Sequence, residues 1–219
     1  IAITGDVFNL FVFLEISSLS SYVMISLSRD RRALVAAYRY LIMGTIGATF
    51  YIIGVGMMYQ VTGTLNMVNL ATLIPDLVDN RTVMVALAFL SVGLCLKLAL
   101  FPLHMWLPNA YTYAPSAVSA FLAATGTKVA VYALARILFT VFGGSSLIDD
   151  FGLQEILVTF AVLAMIGGSA VAVYESNVKR LLAYSSVAQI GYMILGLSMA
   201  SVIGMTAGLV HLFNHALMK

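Results

Sequence analysis

Apolar runs of about 20 residues, the length that crosses a bilayer as a helix, recur along the chain with only short polar connections between them. In hydrocarbon every backbone polar group must find an internal partner, which leaves helices and closed barrels as the spanning structures. Runs this long and continuous read as helices. The first covers 6–27, with Glu15 near its middle, and the basic loop SRDRRA (28–33) leads into 34–59, where Gly44, Gly47, Gly54 and Gly56 are expected to allow close helix approach. A polar connection at 60–80 follows, in which 67–73 is expected to lie at the interface and to end at Pro75. Further spans are read at 81–101, carrying Lys97, at 115–142, carrying Lys128, and at 154–174 and 181–200, while 202–219 begins a seventh. Between the third and fourth lies 102–113, a short broken segment expected to remain within the membrane, and 143–153 forms a turn holding Asp149 and Asp150. The expected fold is an all-α membrane bundle of about seven helices with a proline-broken segment.

Composition excludes much else. Charged residues make up 9% of the chain and hydrophobic ones 62%, whereas a soluble domain carries roughly 25% charged residues, so no stretch is polar enough to fold apart from the membrane. The basic residues are few and concentrated in short loops, so the net charge of +2 does not indicate nucleic acid. The single Cys95 forms neither an internal disulfide nor a thiolate metal site and reads as a small buried apolar group. No nucleotide loop, cysteine cluster, nucleophile elbow or catalytic carboxylate pair is present, so no catalytic centre, cofactor or metal is expected. Whether the chain serves an enzyme complex stays open. It starts at Ile1, not at an initiator, with no signal peptide ahead of Asp6, and stops inside an apolar run; it is expected to be the middle of a longer membrane protein.

Loops on one side hold Arg29, Arg31, Arg32, Lys179 and Arg180, and those on the other hold Asp76, Asp79, Arg81, Asp149 and Asp150. The excess of positive charge is expected to face the cytoplasm, in a cell inner or plasma membrane. Arg39 and Arg136 lie near helix ends and are expected to snorkel, with Lys179 and Arg180 as anchors. Trp106 and Tyr111 fit an interfacial aromatic belt.

The ionisable residues within the apolar runs carry the functional expectation, because such groups are costly in a bilayer unless paired. Glu15 is too deep to reach water, and Ser17, Ser18, Ser20 and Ser21 make the next turn polar. It reads as a protonated, hydrogen-bonded acid or as half of an ion pair. Lys97 stands five residues before Pro102, whose ring is expected to clash with the carbonyl of Leu98 and break the helix. It could snorkel, but Leu103, Met105, Trp106 and Leu107 continue the apolar run. A buried amine that gains and loses a carboxylate partner can switch between charged and neutral forms, which is what a proton relay requires. Lys128 lies near the centre of its span. His211, His215 and Lys219, four residues apart, form one helical stripe beside Asn214; a histidine pair at this spacing can bind metal, but with no carboxylate nearby a polar lining for water and protons is the expectation. His104, near the break, is an interfacial residue or a relay member.

Several segments together resemble the antiporter-like subunits of Mrp-type sodium/proton antiporters, respiratory complex I and membrane-bound hydrogenases. They are GDVFNLFVFLEISSLSSY, VTGTLNM, KLALFPLHMWLPNAYTYAPSAVSAFLAATGTKVAVYALAR, ESNVKRLLAYSSVAQIGYM and HLFNHALMK, which follow in collinear order over essentially the whole chain. The resemblance implies a protein of about fourteen helices with two inverted five-helix repeats, of which this chain holds the fifth to the eleventh helix, with incomplete halves at roughly 1–142 and 154–219. It further implies that Glu15 is the family's buried fifth-helix glutamate, Lys97 the lysine beside the seventh-helix break, Lys128 the eighth-helix base, and His211, His215 and Lys219 the eleventh-helix residues. The twelfth-helix member of the route is absent. The segments TYAPSAVSAF, TKVAVYALAR and GDVFNLFVFLE are most similar to the D-type subunits of Mrp antiporters. The expectation is thus a proton- or cation-translocating subunit among other membrane subunits, moving protons and possibly sodium. The alternatives are a pumping subunit of complex I or a hydrogenase and, more remotely, a seven-helix retinal protein or receptor.

Overall fold

The computed structural model describes residues 1–143 and 152–219; Asp149 and Asp150 lie outside the described residues. Most helices start where a short polar side chain can accept the unpaired N–H groups of a first turn. Helix α1 (Val7–Ser26) begins on the Asp6 carboxylate, which accepts from the Phe8 and Asn9 amides. Helix α2 (Arg31–Thr62) begins on Asp30 and stops at Gly63, whose φ of 68° is the left-handed conformation that glycine adopts without strain. Asn66 opens α3 (Met67–Leu73), which runs on as a 3-10 turn, Ile74–Leu77. Pro75, expected to end this segment, instead sits in the first turn of that extension, where its missing N–H has no role. Asn80 opens α4 (Arg81–Leu98). After an irregular stretch come α5 (Leu107–Tyr113) and α6 (Ser116–Ala135), which continues as a π-helical turn, Arg136–Val141. Then follow α7 (Leu153–Tyr174), α8 (Val178–Ser198) on Asn177, and α9 (Val202–Met218) on Ser201.

Six of the described helices are long and apolar enough to cross a membrane, and the chain is a multi-pass integral membrane protein. Several boundaries differ from the sequence reading. The second span runs from Arg31 to Thr62 instead of 34–59, so Arg31 and Arg32 belong to its first turn and not to the preceding loop. The third span ends at Leu98 instead of 101. The sixth begins at Val178 instead of 181, because the Asn177 side chain accepts from the Lys179 and Arg180 amides, so these two basic residues belong to a first helical turn and not to a loop. The seventh run is a helix of 17 residues, short of the length of the others. Helix α2, with 32 residues, is about 48 Å long at ~1.5 Å per residue, well beyond the ~30 Å of a hydrocarbon core.

Small residues set the packing distances. Helices α2 and α4 meet along Gly47, Gly54 and Gly93; a Cβ on Gly93 would fall 2.7 Å from the Gly47 carbonyl oxygen and 2.8 Å from the Tyr51 nitrogen. Gly44 receives the Tyr22 hydroxyl of α1. Gly56, expected to take part, has nothing near its α-carbon and lies off the contact face. Helices α7 and α8 approach in the same way at Gly191, where a Cβ would lie 2.7 Å from the Ala161 carbonyl oxygen. Helix α6 runs through the middle and touches α1, α4, α5, α8 and α9. It separates the two charged clusters described below.

Replacing Gly93 by valine forces backbone apart from backbone, which side-chain rearrangement cannot relieve. Overpacking of this kind costs about 1–3 kcal/mol, so the midpoint of thermal unfolding in detergent should fall, while Gly56→Ala should leave it unchanged or raise it.

Candidate functional site

The break after α4 is closed by backbone and indole groups. Ala99 adopts a left-handed conformation (φ 62°), its N–H reaches the Leu96 carbonyl at 3.3 Å, and the Leu100 N–H reaches the Cys95 carbonyl at 3.1 Å. The Leu96 carbonyl accepts a second bond from the Trp106 indole N–H at 3.0 Å. Trp106 lies flat on Tyr40 of α2, ring centroids 4.0 Å apart. The helix has therefore ended before Pro102 could clash with the Leu98 carbonyl, and Pro102 falls in the irregular stretch ahead of α5. Trp106 is 4% exposed and Tyr111 5% exposed, so neither belongs to an interfacial belt. The Tyr111 hydroxyl donates to the Leu122 carbonyl at 3.0 Å and fastens α5 to α6.

Lys97 is the last residue but one of α4. Side chains on a helix lean toward its N-terminus, which turns this amine back into the bundle instead of outward to the interface. Its Nζ lies 2.5 Å from Glu15 Oε1 and 2.7 Å from Ser18 Oγ, both on α1. The Glu15 and Lys97 side chains are 24% and 7% exposed. Of the two readings of Glu15, the ion pair is the one found. A cavity of ≈ 410 Å³ adjoins the pair, lined among others by Ser17, Ser18, Ser21, Tyr40, Lys97 and Thr125. Cys95 is buried without a partner group.

A second cluster lies on the other side of α6. Buried Lys128 donates to the Ala123 carbonyl of its own helix. Lys219 donates to the Leu182 carbonyl of α8 at 2.8 Å. His211 shares a hydrogen bond of 2.6 Å with the Gln189 side-chain oxygen, and its ring lies 6.5 Å from that of His215 at an interplanar angle of 12°. His215 is fully buried, and neither ring nitrogen has a partner among the described residues. The Ala123 position and Lys219 border a smaller cavity of ≈ 170 Å³ between α6 and α8, along with Ser119, Lys179 and Ser186.

The structure thus brings Glu15 to Lys97 and sets Lys219 and Ala123, whose carbonyl holds Lys128, at one cavity, with His211 and His215 on the helix that leads to Lys219; among the described residues no direct bond joins the two groups. His104 belongs to neither. Its buried ring stacks on Phe101 at 5.3 Å and meets Tyr184 edge-on at 6.4 Å, with Nδ1 unpartnered among the described residues. Arg136 does not snorkel; it donates to the Ala2 and Thr4 carbonyls at 3.3 and 2.6 Å. Lys179 is likewise turned inward, to the Ala114 carbonyl at the end of α5, 3.1 Å away. Arg180 pairs with Glu175 at 3.0 Å. Gln189 is the residue that the sequence reading lacks. A lone amide in the apolar run YSSVAQIGYM carries the same signal as the lone charges, because a polar side chain in a membrane helix seeks a partner on a neighbouring one. No group of three histidine, cysteine or acidic residues able to hold a metal occurs among the described residues.

This arrangement, amines buried in a helical membrane bundle beside a broken helix, defines an antiporter-like membrane subunit. The chain belongs to the family described as NADH:quinone oxidoreductase/Mrp antiporter, transmembrane, which it matches over residues 4–219. It is 49% identical over 216 residues to NADH-quinone oxidoreductase subunit N of Desulforudis audaxviator, covering 99% of this chain and 42% of that protein. It is 32% identical over 217 residues to the D-type subunit of the Na(+)/H(+) antiporter of Alkalihalophilus pseudofirmus, covering 99% of this chain and 43% of that protein. The chain therefore spans less than half the length of these curated relatives. Among solved structures it is similar to a chain of an archaeal respiratory membrane complex, the membrane-bound sulfane sulfur reductase (TM-score 0.91, 39% identity, 97% of this chain and 43% of that one). It is also similar to a chain of the Mrp complex from Dietzia sp. (TM-score 0.88, 34% identity, 98% of this chain and 39% of that one).

Removing one partner of a buried ion pair leaves an uncompensated charge and costs about 3–5 kcal/mol, whereas replacing both by apolar groups of similar volume can be neutral. Glu15→Leu should therefore lower the unfolding midpoint sharply, and the double variant Glu15→Leu/Lys97→Met should recover most of the loss in the same thermal scan.

Proposed function

We propose that this chain is the core of a proton-translocating membrane subunit, working among other membrane subunits of a larger assembly in a cell inner or plasma membrane, with Arg29 and the basic first turn of α2, Arg31 and Arg32, on the cytoplasmic side. The observation that carries the reading is the buried Lys97–Glu15 pair beside a hydroxyl-lined cavity. Holding the amine against the carboxylate favours its charged form, and parting the two favours release of a proton to the cavity. Glu15 sets whether Lys97 is loaded. Lys128, His215, His211 and Lys219 carry the proton onward on the far side of α6, through water where no direct bond exists. His104 is the one candidate that the geometry leaves outside both clusters, and it has no step here. Each charge moved across the membrane is worth about 2.3 kcal/mol per 100 mV, so donors and acceptors in neighbouring positions have to be matched in affinity.

The particular assembly is a separate question. The sequence motifs favour an Mrp-type antiporter, in which sodium could be the counter-ion, while the higher identity to an NADH-quinone oxidoreductase subunit favours a redox-driven pump of the complex I kind. Under either reading the same buried groups of this chain would carry the proton. Family membership speaks against the retinal-protein or receptor reading, and Lys128 and Lys219 have their own carbonyl partners. Dependence of proton movement on NADH oxidation would select the redox-driven pump; sodium-dependent movement without redox turnover would select the antiporter.

In vesicles carrying the full-length subunit in its complex, Lys97→Ala should reduce the formation or dissipation of a pH gradient to background, read with a pH-sensitive dye, while the complex remains assembled. Transport at the wild-type rate would remove Lys97 from the route.

A further inference from the structure

A pocket of ≈ 210 Å³ opens between α2 and α5, away from both charged clusters, and is lined by Arg32, Val35, Ala36, Arg39, Asn109 and Tyr113. We propose that Arg32 and Arg39, with Asn109 and Tyr113, form a binding site for the phosphodiester headgroup of an anionic phospholipid.

The two arginines stand seven residues apart on α2, which puts them on one face about 10 Å from each other along the axis. The four α2 residues that line the pocket follow the i, i+3, i+4, i+7 pattern of a single helical stripe, and Asn109 and Tyr113 do the same on α5. Neither guanidinium forms an ion pair or donates a hydrogen bond among the described residues. Asp30, the acid next to Arg32, uses its carboxylate on the Arg32 backbone amide. Among the described residues the Arg32 guanidinium lies over the Tyr113 ring at 5.9 Å, at the pocket wall. Two planar donors, an amide and a phenol thus converge on one small space with no anion of the protein in it. Guanidinium groups suit phosphate oxygens because their paired N–H groups match them in geometry as well as in charge.

The surroundings select a lipid as the source of that phosphate. Leu34, Val35, Tyr38, Leu41 and Ile42 of α2 are all more than a third exposed beside the arginines, an apolar surface suited to acyl chains. Arg39 lies eight residues inside α2, about 12 Å from its start at ~1.5 Å per residue. Since that helix exceeds the hydrocarbon thickness, the pocket falls near the headgroup level. Basic pockets between helices at the cytoplasmic boundary recognise anionic headgroups.

The test is native mass spectrometry of the full-length subunit, purified in mild detergent and exchanged into micelles containing either phosphatidylglycerol or phosphatidylcholine. The wild type should retain one more phosphatidylglycerol than Arg32→Gln/Arg39→Gln, with no such difference for phosphatidylcholine. Arg31→Gln, outside the pocket, serves as the control and should behave as wild type. Equal retention by wild type and double variant would overturn the proposal. So would displacement of the lipid by millimolar inorganic phosphate, which would make the site one for a free anion. Loss of the extra lipid on assembly into the intact complex would equally overturn it, by assigning the pocket to an acidic group of a neighbouring subunit.

Discussion

The bond between Lys97 and Glu15 governs this structure. Each charge by itself is prohibitive in hydrocarbon; together, with Ser18 as a third partner, they bind the middle of α1 to the end of α4. A buried ion pair is poor evidence of net stability, because desolvation offsets its attraction. What it gives here is definition. The amine can lean toward α1 because α4 stops directly after it, and α4 stops there because Ala99 turns left-handed while Leu96 finds a second donor in Trp106. Tyr40 backs that indole with a stacked ring from α2. Thus three helices and the irregular segment converge on the placement of one ammonium group.

The second cluster is built on other terms. It contains two lysines and two histidines, none ion-paired with a carboxylate among the described residues, and its amines rest on the backbone carbonyls of Ala123 and Leu182. A group with an acid partner on one side of α6 and a group of bases held by carbonyls and an amide on the other make an asymmetric pair.

Much of this is legible in the residues. Apolar runs specify the helices because a bilayer permits little else, and the single charges at Lys97 and Lys128 mark groups that are found buried. The residues leave Glu15 open between a protonated acid and half of an ion pair, and Lys97 open to snorkelling; the structure joins the two. The departures have equally physical origins. Amphipathic character alone puts Trp106 and Tyr111 at an interface, but both find carbonyl partners inside the bundle, at Leu96 and Leu122. Lys179 and Arg136 have the length to reach for water, yet carbonyls freed near the chain start and at a helix end are nearer. Gly56 shares the composition of its neighbours, although its position on the helix turns it away from α4. A single sequence does not disclose which unsatisfied carbonyl lies within reach of which long side chain.

The contact of Gly47 with Gly93, where two backbones touch with nothing between them, has a mechanical consequence. Helices α2 and α4 form a single stiff strut, so the tip that bears Lys97 has little freedom to swing. Any parting of amine from carboxylate then falls to rotation about side-chain bonds or to a slide of α1 past the strut, and α1 is the element through which an adjoining protein could pull on the charge.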